Sequence, residues 1–109
     1  MEKLKINQTE YPATFYGSIR DFSWNNRESK TINLTMDPQV AKTIFLDGVQ
    51  WSIISEYEVD GETVREEWDN SDFSLAGDII DHRDGSISVK MGKPTDLEMA
   101  YALLYGEDK

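Results

Sequence analysis

The 109-residue chain contains no cysteine and a single histidine, His82. Without cysteine there can be no disulfide, no thiolate nucleophile and no cysteine-ligated zinc, a composition that fits a reducing compartment. With one imidazole, a conventional Ser-His-Asp triad would have to use His82, and no Gly-x-Ser-x-Gly elbow accompanies it. Apolar runs extend only a few residues, far short of the roughly 20 that span a bilayer. Met1-Glu2-Lys3-Leu4-Lys5 lacks the apolar stretch of a signal peptide, so a cytoplasmic location away from membranes is expected. Basic residues are also scarce, 11 Lys and Arg against 21 Asp and Glu, for a formal net charge of −10. The imbalance is local: residues 1–55 are neutral, whereas residues 56–84 hold eleven acidic and two basic side chains. Such a segment repels phosphates, and direct nucleic-acid binding is not expected.

What is present is enough apolar surface to fold. Hydrophobic residues make up 39% of the chain, with three Trp, five Tyr and four Phe, and burying them offsets the chain entropy that keeps acidic polar segments disordered. The length suits one domain over residues 1–109, and neither a linker nor a repeat interrupts it.

Period-two patterns dominate. Val49, Trp51, Ile53, Tyr57 and Val59 alternate with polar residues and are expected to bury one face. Asp60-Gly61, a two-residue hairpin turn, then sets Tyr57 opposite Val64, Glu56 opposite Arg65 and Ile53 opposite Trp68. Asp84-Gly85 predicts a second hairpin, with Ile80 opposite Val89, His82 opposite Ile87 and Ile79 opposite Lys90. The apolar phase slips at Ala76-Gly77, where a bulge is expected. Ile32, Leu34 and Met36 mark another strand, residues 13–24 a bent one, and Leu4 and Ile6 a short one.

Two helices are expected. The first has Asp37 as N-cap and Pro38 at its first position, carries Val40, Ala41, Ile44 and Phe45 on one face, and stops at Asp47-Gly48. In the second, Thr95 and Glu98 form a capping box, Leu97, Ala100, Tyr101 and Leu104 form the apolar stripe, and Gly106 is the stop. The predicted architecture is α+β: a mainly antiparallel sheet of six to seven strands in the order βββαββββα, with both short helices packed on it.

Four groups of residues could carry function. Asp78, Asp81, His82 and Asp84 invite a metal or acid-base reading, but the predicted hairpin turns Asp81 away from His82 and puts Asp84 in the turn, and the spacing misses a calcium loop. Glu56, Glu58, Glu62, Glu67 and Asp69 form a candidate acidic face. A glycosidase pair could be drawn from such carboxylates, although an acidic solvent face also serves solubility, and Glu66 alone shares the face of Val64 and Trp68. Trp24, Asn25, Asn26, Arg27 and Lys30 lie in the most loop-like and basic stretch, a composition suited to a partner-binding surface. The alternative is an Asn25-Asn26 turn with Trp24 folded into the core. Asn7-Gln8-Thr9 and Asn33-Leu34-Thr35 match the glycosylation triplet, which has no meaning without a secretory route.

Three segments, Trp24-Asn25-Asn26-Arg27-Glu28-Ser29-Lys30-Thr31, Ala76-Gly77-Asp78-Ile79-Ile80-Asp81-His82-Arg83-Asp84-Gly85 and Val89-Lys90-Met91-Gly92-Lys93-Pro94-Thr95, resemble small proteins encoded by phages and prophages of Gram-positive bacteria, a group without an established activity. The likeness spans most of the chain and brings no catalytic motif, cofactor or site residue. It implies a virion structural, tail-assembly or accessory role, in the bacterial cytoplasm or on the particle. The expectation is therefore a non-enzymatic phage-derived assembly protein, without a cofactor, acting through a protein partner or self-association. An alternative is an acidic decoy that occupies the DNA-binding surface of a host protein. A third is a small metal-dependent hydrolase built on Asp78, Asp81 or His82.

Overall fold

Every period-two segment becomes a strand in the computed structural model, which describes residues 1–105. In chain order the elements are β1 (Glu2–Ile6), β2 (Thr9–Asp21), β3 (Arg27–Thr35), α1 (Pro38–Ile44), β4 (Trp51–Val59), β5 (Glu62–Asp69), β6 (Leu75–Asp81), β7 (Ser86–Gly92) and α2 (Asp96–Tyr105). The strands join in one antiparallel seven-stranded sheet of order β5-β4-β1-β2-β3-β7-β6. This is the α+β arrangement that the sequence predicts. Gly106, the expected stop of α2, lies outside the described residues.

One face of the sheet carries the core. Register sets Leu4 beside Ile53 and Ile6 beside Trp51, and Ile32 beside Val89 and Leu34 beside Ile87, so the apolar residues of four strands share one side. Leu4, Ile32, Ile87, Val89 and Met91 are fully buried there, and Phe73, Ala41 of α1 and Phe45 just beyond it close over them. Trp51 stacks on Phe15, with ring centroids 6.3 Å apart, and its indole N–H donates to the Phe73 carbonyl at 3.0 Å. A buried Trp with its one donor satisfied adds apolar area without an orphan polar group.

β2 bends as expected. Its register shifts between Tyr16 and Ile19, and Gly17 sits there at φ 104, where a Cβ would meet the Ser29 carbonyl at 2.9 Å. Only glycine fits such a bulge. α1 has the predicted cap, with Asp37 accepting from the Gln39 N–H at 2.8 Å. It closes earlier than expected, at Phe45 rather than Asp47-Gly48. Asp47 instead accepts from the Ala76 N–H at 2.8 Å, which ties the connection to β6, and Val40 lies outside the buried face.

The first hairpin has the predicted register at all three positions, with Asp60 and Gly61 both at positive φ. Its apolar face is buried only near the sheet centre. Tyr57, Val59 and Trp68 are exposed, and Ile54, on the opposite face, is fully buried. The second hairpin departs by one residue: Ile79 pairs with Val89, Ile80 with Ser88 and Asp81 with Ile87. The cause is the turn. Asp81 accepts from the Arg83 N–H at 2.8 Å and Asp84 from the Ser86 N–H at 2.9 Å, so His82 closes on Ser86 across three residues rather than two. Such side-chain to backbone bonds compete with the tight turn. The bulge between Ala76 and Ile79 is where the sequence places it.

Replacing Ile32 by Ala in the middle of this core is expected to cost about 2–5 kcal/mol through lost burial and a residual cavity. Urea unfolding, with an unchanged denaturant slope, is the measurement.

Candidate functional site

The Trp24 segment is shorter as a loop than the sequence suggests. Asp21 accepts from the Ser23 N–H and hydroxyl at 3.0 and 2.7 Å, and Asn25 and Asn26 take φ values of 56 and 57, a left-handed conformation that Asn tolerates. The chain reverses there, and β3 begins at Arg27. Arg27 and Lys30, expected in a loop, are therefore strand residues, and their spacing of three sends them to opposite faces of the sheet.

On the face away from the core, the outer edge of the Trp24 ring stands over two glycines. A Cβ at Gly77 would stand 2.7 Å from the outer edge of its ring, and one at Gly92 2.8 Å from it. The Arg27 guanidinium stacks on the ring, 4.9 Å from its centroid. It also reaches α2: its two Nη atoms donate to the two Glu98 carboxylate oxygens at 2.7 Å each, and Nη1 donates to the Lys93 carbonyl at 2.9 Å. Glu98 completes the predicted capping box as well. It accepts from the Thr95 N–H at 3.0 Å while Thr95 Oγ1 accepts from the Glu98 N–H at 3.1 Å. These partners, the Arg27 hydrogen bond first and the Thr95 N–H second, hold the Glu98 carboxyl at about 2, down from 4.5. Arg27 is almost wholly buried, so this bidentate pair is a structural joint. Lys30, on the core side, donates to Asn70 and sits 4.7 Å above the Phe73 ring. Of the five residues read as a partner surface, Trp24, Arg27 and Lys30 are thus engaged inside the chain, and Asn25 and Asn26 form the turn.

A groove of about 610 Å³ opens beside this joint, lined by Arg20, Asn26, Arg27, Lys93, Thr95 and Met99 among others. Its cations are already matched. Arg20 donates to the Asn26 carbonyl at 3.1 Å, and Lys93 pairs with Glu28 and Asp72 at 3.6 and 3.4 Å.

The acidic face is likewise matched in part. Glu56 meets Lys3 at 3.2 Å and Arg65 at 2.9 Å, Glu67 meets Lys5 at 3.7 Å, and Glu10 pairs with Arg65. The Lys3 ammonium lowers the Glu56 pKa, and the Arg65 guanidinium lowers that of Glu10. Asp69 accepts from the Ser71 N–H at 3.1 Å and so caps a turn. Glu62 is a correction to the expected face: it pairs with Val59 and belongs with Tyr57 and Trp68 on the other side, alongside Glu66. Glu58 remains exposed.

His82 is exposed at the hairpin end, and Asp81 and Asp84 are occupied by the turn. Its Nε2 lies 2.7 Å from Ser88 Oγ, a contact the wrong register concealed. The Ser88 hydroxyl donates to Asn33 Oδ1 at 2.5 Å, so the imidazole N–H is the donor to Ser88, the reverse of what an activated serine requires. Among the described residues no three His, Asp or Glu side chains are grouped to hold a metal ion.

The second helix forms as predicted, but its apolar side chains are not covered. Its predicted stripe was expected to cover the sheet, but Leu97 is 80% exposed, Leu103 88% and Leu104 75%. Beyond its first turn the helix makes no extensive contact with a strand or with α1. The signal was present in the sequence: Leu97, Met99, Ala100, Tyr101, Ala102, Leu103 and Leu104 surround the helix rather than lining one side, and a 3.6-residue period gives such a pattern no polar face for solvent.

No family model, curated protein or solved structure matches the chain. Among the described residues no helix is long and apolar enough to cross a membrane.

Two outcomes are expected. Gly77→Ala lifts the Trp24 ring and lowers stability by about 1–3 kcal/mol; in a double-mutant cycle with Trp24→Ala the cost of the added methyl disappears, read by thermal unfolding. Glu98 is more acidic in the folded chain, so its contribution is complete above 4.5 and is lost as the pH falls towards about 2. Glu98→Gln therefore lowers the unfolding midpoint at neutral pH and makes its decline across that acid range shallower, which unfolding curves recorded at several pH values would show.

Proposed function

We propose that the chain is a non-enzymatic structural or assembly protein of a phage or prophage, tail-associated or otherwise virion-bound, that acts through protein contacts in the bacterial host or on the particle. The phage setting rests on the resemblance of residues 24–31, 76–85 and 89–95. The protein-contact reading rests on one observation: apolar and aromatic side chains stand exposed in several places, among them α2, the outer half of the β4-β5 hairpin and the end of β2 around Tyr16 and Phe22.

The hairpin patch has the composition of a recognition surface. Trp68 is 49% exposed and Tyr57 and Val59 are also open; Val64 lies opposite Tyr57, Glu66 stands between Val64 and Trp68 along β5, and Glu62 borders the patch at its outer end. Aromatic anchors with a charged rim favour a partner that brings apolar residues together with Lys or Arg. β5 is also an edge of the sheet, where a partner strand can add. The acidic-decoy reading needs a row of unpaired carboxylates on one face, and the pairing of Glu56 and Glu67 with cations favours it less.

Co-expression with the products of neighbouring genes, followed by affinity capture, tests the proposal. A defined complex is expected, weakened about tenfold or more by Tyr57→Glu combined with Trp68→Glu, with little change in the unfolding midpoint because both side chains are exposed. If no neighbouring product binds, or the double variant binds as well as the parent, the proposal fails.

A further inference from the structure

We infer that α2 is the contact through which two copies of this chain associate, an inference that rests on reading the chain as a protein that works by protein contacts. Three observations on α2 converge on it.

The first is geometry. At about 100° per residue, Glu98 faces the body of its own chain, where Arg27 holds it at 2.7 Å. The opposite side of the helix then carries Ala100, Leu103 and Leu104, with Leu97 and Met99 at its margins, and Leu103 and Leu104 are among the most exposed apolar residues in the molecule. The bidentate joint and the capping box fix the first turn, so the apolar side is presented in a set direction. A ten-residue helix is too short to persist in water by itself, and a facing helix supplies the missing contact.

The second is charge. The molecule carries a net charge of −10, so two copies repel one another across most of their surface. Residues 99–105 contain no charged side chain, and the two acidic residues of α2, Asp96 and Glu98, lie in its first turn, with Glu98 neutralised by Arg27. The exposed apolar patch around Trp68 and Tyr57 contains Glu62 and Glu66 and would set like charges together. Among these two surfaces α2 is the one that tolerates an acidic copy of itself.

The third is area. At roughly 100 Å² of apolar surface for each large side chain, Leu97, Met99, Leu103 and Leu104 offer about 400 Å² per copy, or about 800 Å² in an isologous pair, the size of a weak, reversible contact. A two-fold contact uses the same patch on both copies and closes on itself, leaving the hairpin patches free at the outside. Ala100, small and central, lets the two backbones approach.

Sedimentation over a concentration series tests this on the full chain. A monomer–dimer equilibrium is expected, tightening as salt screens the net charge. Leu103→Glu with Leu104→Glu should raise the dissociation constant by at least about a hundredfold while the unfolding midpoint of the dilute monomer is retained, and Tyr57→Glu with Trp68→Glu should leave the dimer intact. A dimer that survives the α2 substitutions overturns the inference. So does a parent chain that is monomeric at every concentration: if it still captures a neighbouring gene product through Tyr57 and Trp68, the two-copy contact alone is lost, and if it captures nothing, the protein-contact reading falls with it.

Discussion

Strand β2 changes partner partway along its length, and the sheet depends on that change. Residues 9–12 bond to β1 and residues 13–21 to β3, so one long strand joins β5-β4-β1 to β3-β7-β6. The core lies where the two halves meet: Leu4 and Ile6 come from one, Ile32, Leu34, Ile87 and Val89 from the other, and Ala13 of β2 from the junction. Elements far from the junction have less to pack against. The outer part of the β4-β5 hairpin and all of α2 are such elements, and apolar side chains remain exposed on both, as they do at Tyr16, Phe22 and Ile80. The shape of the molecule, 53 × 34 × 27 Å, records the same division between a packed middle and open extremities.

The sequence was legible wherever a local signal and a tertiary demand agreed. In the first hairpin, turn chemistry and cross-strand matching both point to Tyr57 opposite Val64, and the register follows. In the second, Asp84-Gly85 has the composition of a two-residue turn, but two Asp side chains bond to nearby backbone N–H groups and enlarge it. That competition is between alternatives of similar energy, and residue types alone do not resolve it. The displacement of one residue moved His82 beside Ser88, which is why their contact was missed, although the acidic residues around His82 stay apart in either register. α2 shows the opposite failure. Its capping box was readable to the residue, but the box says where a helix starts and nothing about what it lies against.

The electrostatic picture changed most between chain and fold. Counted along the sequence, residues 56–84 hold nearly all the excess acid. In space, β1 lies beside β4, and Lys3 and Lys5, more than fifty positions upstream, come to rest among Glu56 and Glu67. Fully buried Ile54 shares their face, with the aliphatic stems of the charged residues around it. The candidate partner surface around Trp24 underwent a similar change. Arg27 was placed on a partner-binding surface because its partner within the chain, Glu98, is 71 residues away, and nothing local announces such a pair.

The bed of glycine beneath Trp24 links positions that no simple pattern connects. The ring occupies the space of two absent side chains, at Gly77 on β6 and Gly92 on β7, and Arg27 shares that space. In descendants of this sequence the four positions cannot drift independently. A lineage that trades the indole for a small side chain opens room at 77 and 92 for alanine or serine, and strips the guanidinium of its stacking plane. Joint substitution at 24, 27, 77 and 92 would then be the imprint of this packing in an alignment, a trace of three-dimensional contact left in one-dimensional text.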